Sequence, residues 1–460
     1  MLKFFNRLTK QKQNFVPTHD GVVTMYSCGP TVYSYQHIGN MRAYVFMDLI
    51  RRVLRYNGYK VNGAMNITDV GHLTSDEDAG EDKMLVASVK EQKTPFEIAE
   101  FYSKLFFDDL TKLNVGFPEH ICKATEHVED MVKYVERLVE IGYAYETSKG
   151  IYFDVQKFEN YGMLSGIKIE DRLAGARIEI DNEKKHPADF ALWIKAPKEH
   201  IMQWQSPWGM GYPGWHIECS VMGQKYLGTD IDIHTGGIDH VTVHHENEIA
   251  QNDSLAGHRV VKFWLELEFL QIDGGKMSKS LGNIYTIKNL EDKGFSASDY
   301  RYFLLSAHYL KMQNFTFEAL GASKNALANL IKKAKQHTCG SKEKIDLSTF
   351  DEKFLNAIND DLNLPLALGV VWDMLKLDDN ENIYNMLLKF DKVLGLEIEK
   401  QVLHFSQKDD VPEEIKLLAV QRWQAKINKD FVLSDSLRQE ILSKGYLIKD
   451  EKDKYTISKQ

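Results

Sequence analysis

The stretch from Gly21 to Thr68 leaves this chain little choice of fold. Gly21-Val22-Val23-Thr24-Met25-Tyr26-Ser27 is a short, mostly apolar run of the kind that forms a buried strand, and it stops at the turn signal Cys28-Gly29-Pro30. His37-Ile38-Gly39-Asn40 then opens a helical pattern in which Ala43, Val45, Phe46, Leu49, Ile50, Val53 and Leu54 recur until Asn57-Gly58. Lys60 to Thr68 reads as the next strand. Strand, glycine-containing turn, helix and strand make a βαβ unit, the building block of a doubly wound parallel α/β sheet. Ligands of such sheets lie beyond the carboxyl ends of the strands, and Cys28, His37 and Thr68 all fall at those ends.

The rest of the chain supplies more than one further module. At 460 residues it is too long for one ordinary core, so about two to four domains are expected. Val128, Met131, Val132, Val135, Leu138 and Val139 mark an amphipathic helix, while residues 116–210 carry many turn signals and aromatics and look inserted. The sheet resumes at Asp230-Ile231-Asp232-Ile233-His234, followed by a helix from about His244 to Leu255. From Ser298 onward the pattern is almost wholly helical, with a hydrophilic linker expected around Gln407-Lys408-Asp409-Asp410 and a small module after it. Met1 to Asn6 holds no apolar run long enough for a signal peptide, and no later segment has the length to span a membrane, which predicts a cytoplasmic protein. Four cysteines, Cys28, Cys122, Cys219 and Cys339, are too scattered for a disulfide framework, so their thiols are expected reduced and available for metal or catalysis. A net charge of −9 neither signals nor excludes nucleic-acid binding, because local basic patches decide phosphate contacts.

Two constellations carry chemistry. Lys276-Met277-Ser278-Lys279-Ser280 follows Asp273-Gly274-Gly275, and its two lysines and two serines form a polar loop suited to triphosphate oxygens. Far upstream, His37 lies at a helix N-terminus, where free N–H groups and the macrodipole favour an anion. His244 and Glu248, four apart in Val243-His244-His245-Glu246-Asn247-Glu248, share one helix face. Such a pair is often a solvated surface feature, but both are good zinc ligands, and Cys28 and Cys219 can add thiolates. The rival H-E-x-x-H protease helix fails, because His245-Glu246 needs a histidine at position 249, which is Ile249.

An H-I-G-H/N tetrapeptide followed by K-M-S-K-S resembles the signature pair of class I aminoacyl-tRNA synthetases. Cys28-Gly29, Trp215-His216-Ile217-Glu218-Cys219-Ser220 and His244-His245-Glu246-Asn247-Glu248 are similar, in order and spacing, to the zinc site of the cysteinyl-tRNA synthetase family. The resemblance runs essentially end to end, through Asn66-Ile67-Thr68-Asp69, Asp360-Asp361-Leu362-Asn363 and a C-terminal module around Arg422 to Lys449. It implies a Rossmann-type catalytic domain in two halves, residues 1–115 and 211–262, around a connective insert at 116–210. After these come a stem-contact region at 263–310, a helical bundle at 311–405 and an anticodon-binding module at 406–460. The resemblance further implies that His37 and Asn40 touch ATP, that Lys276 and Lys279 neutralise its phosphates with Ser278 beside them, and that Gly236, Gly237 and Asp239 receive adenine or ribose. Gly29, Thr68, Trp215 and His234 would line the cysteine pocket, and Cys28, Cys219, His244 and Glu248 would hold one zinc ion. Asn40 departs from the usual histidine and cannot carry charge. The family's acidic residues after Thr68-Asp69 are replaced here by Val70-Gly71-His72 and the run Asp76 to Asp82, which is assigned no role.

The function so implied is ligation of cysteine to tRNA(Cys) through an adenylate, with ATP and Mg²⁺, by a monomer. Zinc prefers a soft thiolate to a hydroxyl, whereas pocket shape alone separates such small groups only about 10–200-fold. A cysteine ligase acylating a small amine is the alternative within the same chemistry. A zinc hydrolase leaves the Lys276 loop unexplained, and a non-catalytic RNA-binding relative leaves the lysines and histidine idle. In the C-terminal module Arg422, Lys426, Lys429 and Arg438, with Trp423 nearby, are candidates for RNA contact, set against the ordinary solvated helix face.

Overall fold

A computed structural model of the chain describes residues 1–71, 83–167, 169, 182–198, 200–275, 277, 282–408, 412–450 and 455–459. Two compact units emerge: Met1–Asn325 with Ser348–Val371 and Lys392–Leu396, and Ala326–Leu347 with Trp372–Asp391 and Glu397–Gln460.

The first unit is built on a five-stranded sheet. In chain order its elements are β1 (Val22–Ser27), α1 (Ile38–Tyr56), β2 (Lys60–Ile67), β3 (His120–Lys123), α2 (Val128–Glu140), α3 (Trp215–Leu227), β4 (Ile231–Gly237), α4 (His244–Ala256) and β5 (Val261–Leu267). The strands lie in the order β5-β4-β1-β2-β3, and every neighbouring pair is parallel. The chain thus leaves β1 in one direction for β2 and β3, and returns to the other side for β4 and β5. Between β1 and β4 the winding reverses, and a crevice opens there at the carboxyl ends. Ser27 pairs with Thr235 across that junction, and the Cys28 N–H donates to the Thr235 carbonyl at 3.2 Å. Buried Val23, Met25 and Tyr26 from β1 and Ile38, Met41, Val45, Ile50, Val53 and Leu54 from α1 show why the opening segment specifies this packing.

Inside the span 116–210 the structure separates two things that look alike in sequence. His120–Lys123 is the edge strand of the parallel sheet, whereas a distinct antiparallel sheet gathers Ala144–Glu146, Gly150–Phe153, Phe190–Lys195, Gly209–Pro213 and Trp204–Ser206, in that order. Four residues at a sheet edge, with Ile121 turned outward and 40 % exposed, give no alternation by which to recognise the strand.

Among the described residues, the region after Ser298 is helical apart from two strand pairings. Gln313–Phe315 pairs with Leu270–Ile272, and Tyr446–Asp450 forms a hairpin with Tyr455–Lys459. Gln407 and Lys408 end the helix Ile398–Lys408 rather than link it to the next, and Asp409-Asp410 lie outside the described residues. In the second unit, helices Glu413–Ile427 and Phe431–Ser443 and the hairpin enclose Ile415, Ala419, Ile441 and Ile448. Arg422, read from sequence as a candidate for RNA phosphate, is 2 % exposed and forks onto the Asp450 carboxylate, which Lys426 also reaches at 2.7 Å. Its charge is therefore already matched within the module. Among the described residues no helix is long and apolar enough to cross a membrane.

Candidate metal and nucleotide site

Cys28 leaves β1 at the crevice, where its neighbour Gly29 lets the backbone come close to β2. The Gly29 N–H donates to Asn66 Oδ1 at 2.7 Å, and a Cβ on Gly29 would collide with the Asn66 carbonyl. Cys219 comes from the second turn of α3, and His244 and Glu248 from the first turns of α4. Their helices bring the two thiols to 4.0 Å and His244 Nε2 to 3.1 Å from Glu248 Oε1, with that oxygen 4.0 Å from Cys28 Sγ. One donor atom from each of the four residues lies within 4.8 Å of the others, and all four side chains are buried.

A second constellation shares two members with the first. Cys28, His234, His245 and Glu248 also bring donor atoms within 4.8 Å of one another. His234 Nε2 is 2.9 Å from Glu248 Oε2, and His245 Nε2 is 3.4 Å from Cys28 Sγ. Behind them His245 Nδ1 meets Glu266 Oε1 at 2.8 Å, His244 Nδ1 meets His216 Nδ1 at 2.9 Å, and the His234 ring stacks on Trp264 at 4.3 Å. Trp215 covers His244, its ring centre 4.3 Å away. A carboxylate behind a histidine is the usual support of a metal-binding imidazole.

Burial works against charge throughout this cluster, yet its members end on opposite sides of their ordinary values. Burial alone would raise Glu248, but His234 and His244 outweigh it and hold the carboxyl at about 2. Burial likewise opposes the charged form of His244, and Glu248 and Cys219 overcome it, pushing the imidazole up to about 10. Burial, with Cys219 and Glu248 adding to it, drives the Cys28 thiol well up. Cys219 is lowered, because its bond to Cys28 and the charge and bond of His244 outweigh burial and Glu248. Glu248 held low and His244 held high favour opposite charges on this pair, 3.1 Å apart, an arrangement that a cation can replace. Two sulfurs, an imidazole nitrogen and a carboxylate oxygen, buried and convergent, fit a divalent metal ion.

The nucleotide candidates surround a cavity of about 710 Å³ that Cys28 also lines. Gly29, His37, Asn40, Gly236, Gly237, Asp239 and Met277 are on its wall. His37 is the N-cap of α1: its Nδ1 accepts from the Asn40 N–H at 3.1 Å, and Asn40 Oδ1 accepts from the His37 N–H at 3.2 Å. This reciprocal capping box explains what asparagine does at the fourth place of the motif. With its oxygen accepting that bond, the amide has its NH₂ as the donor group it can offer a ligand. A Cβ on Gly39 would stand 2.9 Å from Met277 Cε, so the glycine admits the loop methionine beside the helix N-terminus. Lys276, Ser278 and Lys279 lie outside the described residues.

The family pattern described as the tRNA synthetases class I (C) catalytic domain matches residues 14–325. A cysteine–tRNA ligase of Treponema denticola is 42% identical, with 100% of this chain and 99% of that protein covered. The chain belongs to the cysteine–tRNA ligase family. A cysteine–tRNA ligase of Borrelia hermsii is 40% identical over 98% of each chain. Among solved structures, a Mycobacterium tuberculosis methionyl-tRNA synthetase bound by methionyl-adenylate has a TM-score of 0.58 at 16% identity, covering 83% of this chain and 90% of its own. An Agrobacterium radiobacter K84 LeuRS in a ternary complex with tRNA and LeuAMS has a TM-score of 0.61 at 11% identity, covering 85% of each. These two likenesses establish the class I fold.

Of the four residues expected in the cysteine pocket, Gly29 lines the cavity, whereas Thr68, Trp215 and His234 are not among its lining residues. The Thr68 hydroxyl donates to Glu218 Oε2 at 2.6 Å and accepts from Asn66 Nδ2 at 3.0 Å, which ties it into a buried network. His216, His245 and Asn66, which the sequence motifs contain without a role of their own, and Glu266, which they do not contain, pack around the cluster, and Lys83 lines the cavity. For His245 a signal was present, since it neighbours His244, but helix periodicity favours i,i+4 pairs and passes over the adjacent residue.

Proposed function

We propose that this chain is a cysteine–tRNA ligase that holds one zinc ion on Cys28, Cys219, His244 and Glu248. The observation that carries it is the buried thiol–imidazole–carboxylate cluster opening, through Cys28, onto the cavity walled by His37 and Asn40. The Cys28–Cys219 separation of 4.0 Å is close to the ~3.8 Å edge that Zn–S bonds of about 2.3 Å give at a tetrahedral centre. Bound there, zinc would supply a Lewis acid of borderline softness that favours a thiolate over a hydroxyl.

The chain's own residues then have separable tasks. A carboxylate oxygen of cysteine attacks the α-phosphorus of ATP, the bond to pyrophosphate breaks, and cysteinyl-adenylate forms. His37 stands at the N-terminus of α1, whose dipole favours phosphate oxygens, and the Asn40 amide adds its NH₂. Lys276 and Lys279 offset charge on the α-phosphate and the leaving pyrophosphate. Gly236 and Gly237 keep the wall low for adenine or ribose, with Asp239 as a ribose acceptor. A ribose hydroxyl of the terminal adenosine of tRNA(Cys) next attacks the acyl carbon, and AMP leaves. Mg²⁺ accompanies ATP. Cytoplasmic location and a monomeric state belong to the proposal through family membership alone.

The test is aminoacylation of tRNA(Cys) with cysteine and ATP–Mg²⁺. Cysteine is expected on the 3′-terminal adenosine; pyrophosphate exchange without charging of the tRNA overturns the assignment. A second expectation concerns pH. His244, pushed up to about 10, must lose its proton to bind metal, so protons compete with zinc at every pH below that. Zinc affinity should rise at least about tenfold per pH unit between about pH 6 and 8, measured by competition with a chelator of known proton dependence. A flat profile contradicts the assignment of His244 as a ligand.

A further inference from the structure

The substrates of the proposed reaction carry a carboxylate and a triphosphate, yet among the described residues lining the cavity only one is a lysine or arginine. It is Lys83, the first residue of the helix Lys83–Glu91. Its ammonium stands 6.0 Å from the ring centre of Tyr33 and 6.0 Å from that of Trp215. Among the described residues it has no carboxylate partner, unlike Lys112 on Glu291, Lys225 on Asp130 or Lys195 on Glu146.

We propose that Lys83 binds the anionic oxygens of the reacting centre, either the α-carboxylate of the amino acid or the α-phosphate it attacks. The assignment rests on the cysteine-activating reading above. Two aromatic faces flank the ammonium, and among the described residues no carboxylate takes its N–H donors, an arrangement that orients a cation for an incoming anion. Trp215 fixes the location, because the same indole lies 4.3 Å from the His244 ring. An amino acid whose sulfur is engaged at the metal cluster has its carboxylate only one short side chain away. Lys83 therefore sits where that carboxylate must be steered toward ATP, on the side of the metal site rather than of the α1 N-terminus. A lysine here also counters the repulsion between two anions that must meet, a task the neutral Asn40 leaves open.

The experiment compares the parent protein with Lys83→Met and Lys83→Arg in cysteine-dependent ATP–pyrophosphate exchange. Cysteinol, which lacks the carboxylate, serves as competing inhibitor, and metal content is measured in parallel. If the contact is to the carboxylate, Lys83→Met raises KM for cysteine about tenfold while inhibition by cysteinol is unchanged. If it is to the α-phosphate, kcat falls about tenfold at an unchanged KM for cysteine. In both cases Lys83→Arg recovers most of the loss and metal content stays at the parent value. Parameters within twofold of the parent overturn the assignment, as does equal weakening of cysteine and cysteinol with loss of metal, which marks a structural role. A parent protein without cysteine-dependent exchange instead rejects the activation reading, and the role of Lys83 with it.

Discussion

Replacing Cys28 by serine is expected to lower cysteine-dependent ATP–pyrophosphate exchange by at least about 100-fold, with ATP binding retained and most of the bound metal lost. The size follows from the geometry. Two overlapping donor sets converge here, Cys28 with Cys219, His244 and Glu248, and Cys28 with His234, His245 and Glu248. A site that loses His244 can still draw on His245 or His234, whereas no set survives without Cys28. A serine oxygen is a hard donor on a shorter bond, so it restores neither softness nor reach. His244→Ala should accordingly retain more metal than Cys28→Ser. The two effects are separated by elemental analysis alongside KM for ATP. Equal losses in cysteine and ATP binding would sink the thiol-reading role and leave a merely structural ion.

The largest effect on stability is expected from Arg301. Its side chain is 1 % exposed and spends every donor group on the fold: Nε on the Leu394 carbonyl at 2.8 Å, Nη1 on those of Leu113 and Asn114 at 2.9 and 3.2 Å, and Nη2 on Asp48 Oδ2 at 2.7 Å. Asp48, in α1, also accepts from Arg52 at 2.7 Å and from the Gly116 N–H at 3.0 Å. Burial alone would raise its carboxyl, but Arg301, Arg52 and Arg51 hold it below the ordinary value. Arg301→Ala removes a charge, leaves buried carbonyls without donors and opens a cavity, which together should cost about 3–5 kcal/mol. Denaturant unfolding of the parent and variant measures the difference, and a loss below about 1 kcal/mol contradicts it. The sign with pH follows from Asp48: a depressed folded-state value adds stability above the unfolded pKa of about 3.9, and this is lost as pH falls through the folded one.

Much of this was legible in sequence because the βαβ unit is local. The strand, the turn at Cys28-Gly29-Pro30 and the helix opening at His37 each carry their own signal, and β1, α1 and β2 appear within a residue or so of where the pattern puts them. Cys28, Cys219, His244 and Glu248, far apart in sequence, come together in the structure with donor atoms within 4.8 Å of one another. What escaped has a common cause. The edge strand His120–Lys123 is specified by its neighbour β2 rather than by its own four residues. Glu266 on β5 reaches the site from a strand whose pattern marks only burial, and a buried polar residue within a strand shows no periodic signature. Lys83 becomes visible only once Tyr33 and Trp215 meet over it. Arg422 was misleading for the opposite reason, since a basic residue on an amphipathic helix looks solvated until its partner on the hairpin is seen.

A thiolate-preferring metal ion, rather than pocket shape, is the proposed means of distinguishing the substrate. Cysteine and serine are nearly isosteric, and shape alone separates groups that small by only about 10–200-fold. The decisive measurement is the ratio of kcat/KM for cysteine and serine in ATP–pyrophosphate exchange by the metal-loaded protein. A ratio well above about 200 is the predicted result; a ratio at or below that range contradicts the assignment of Cys28, Cys219, His244 and Glu248 as the thiol-reading site.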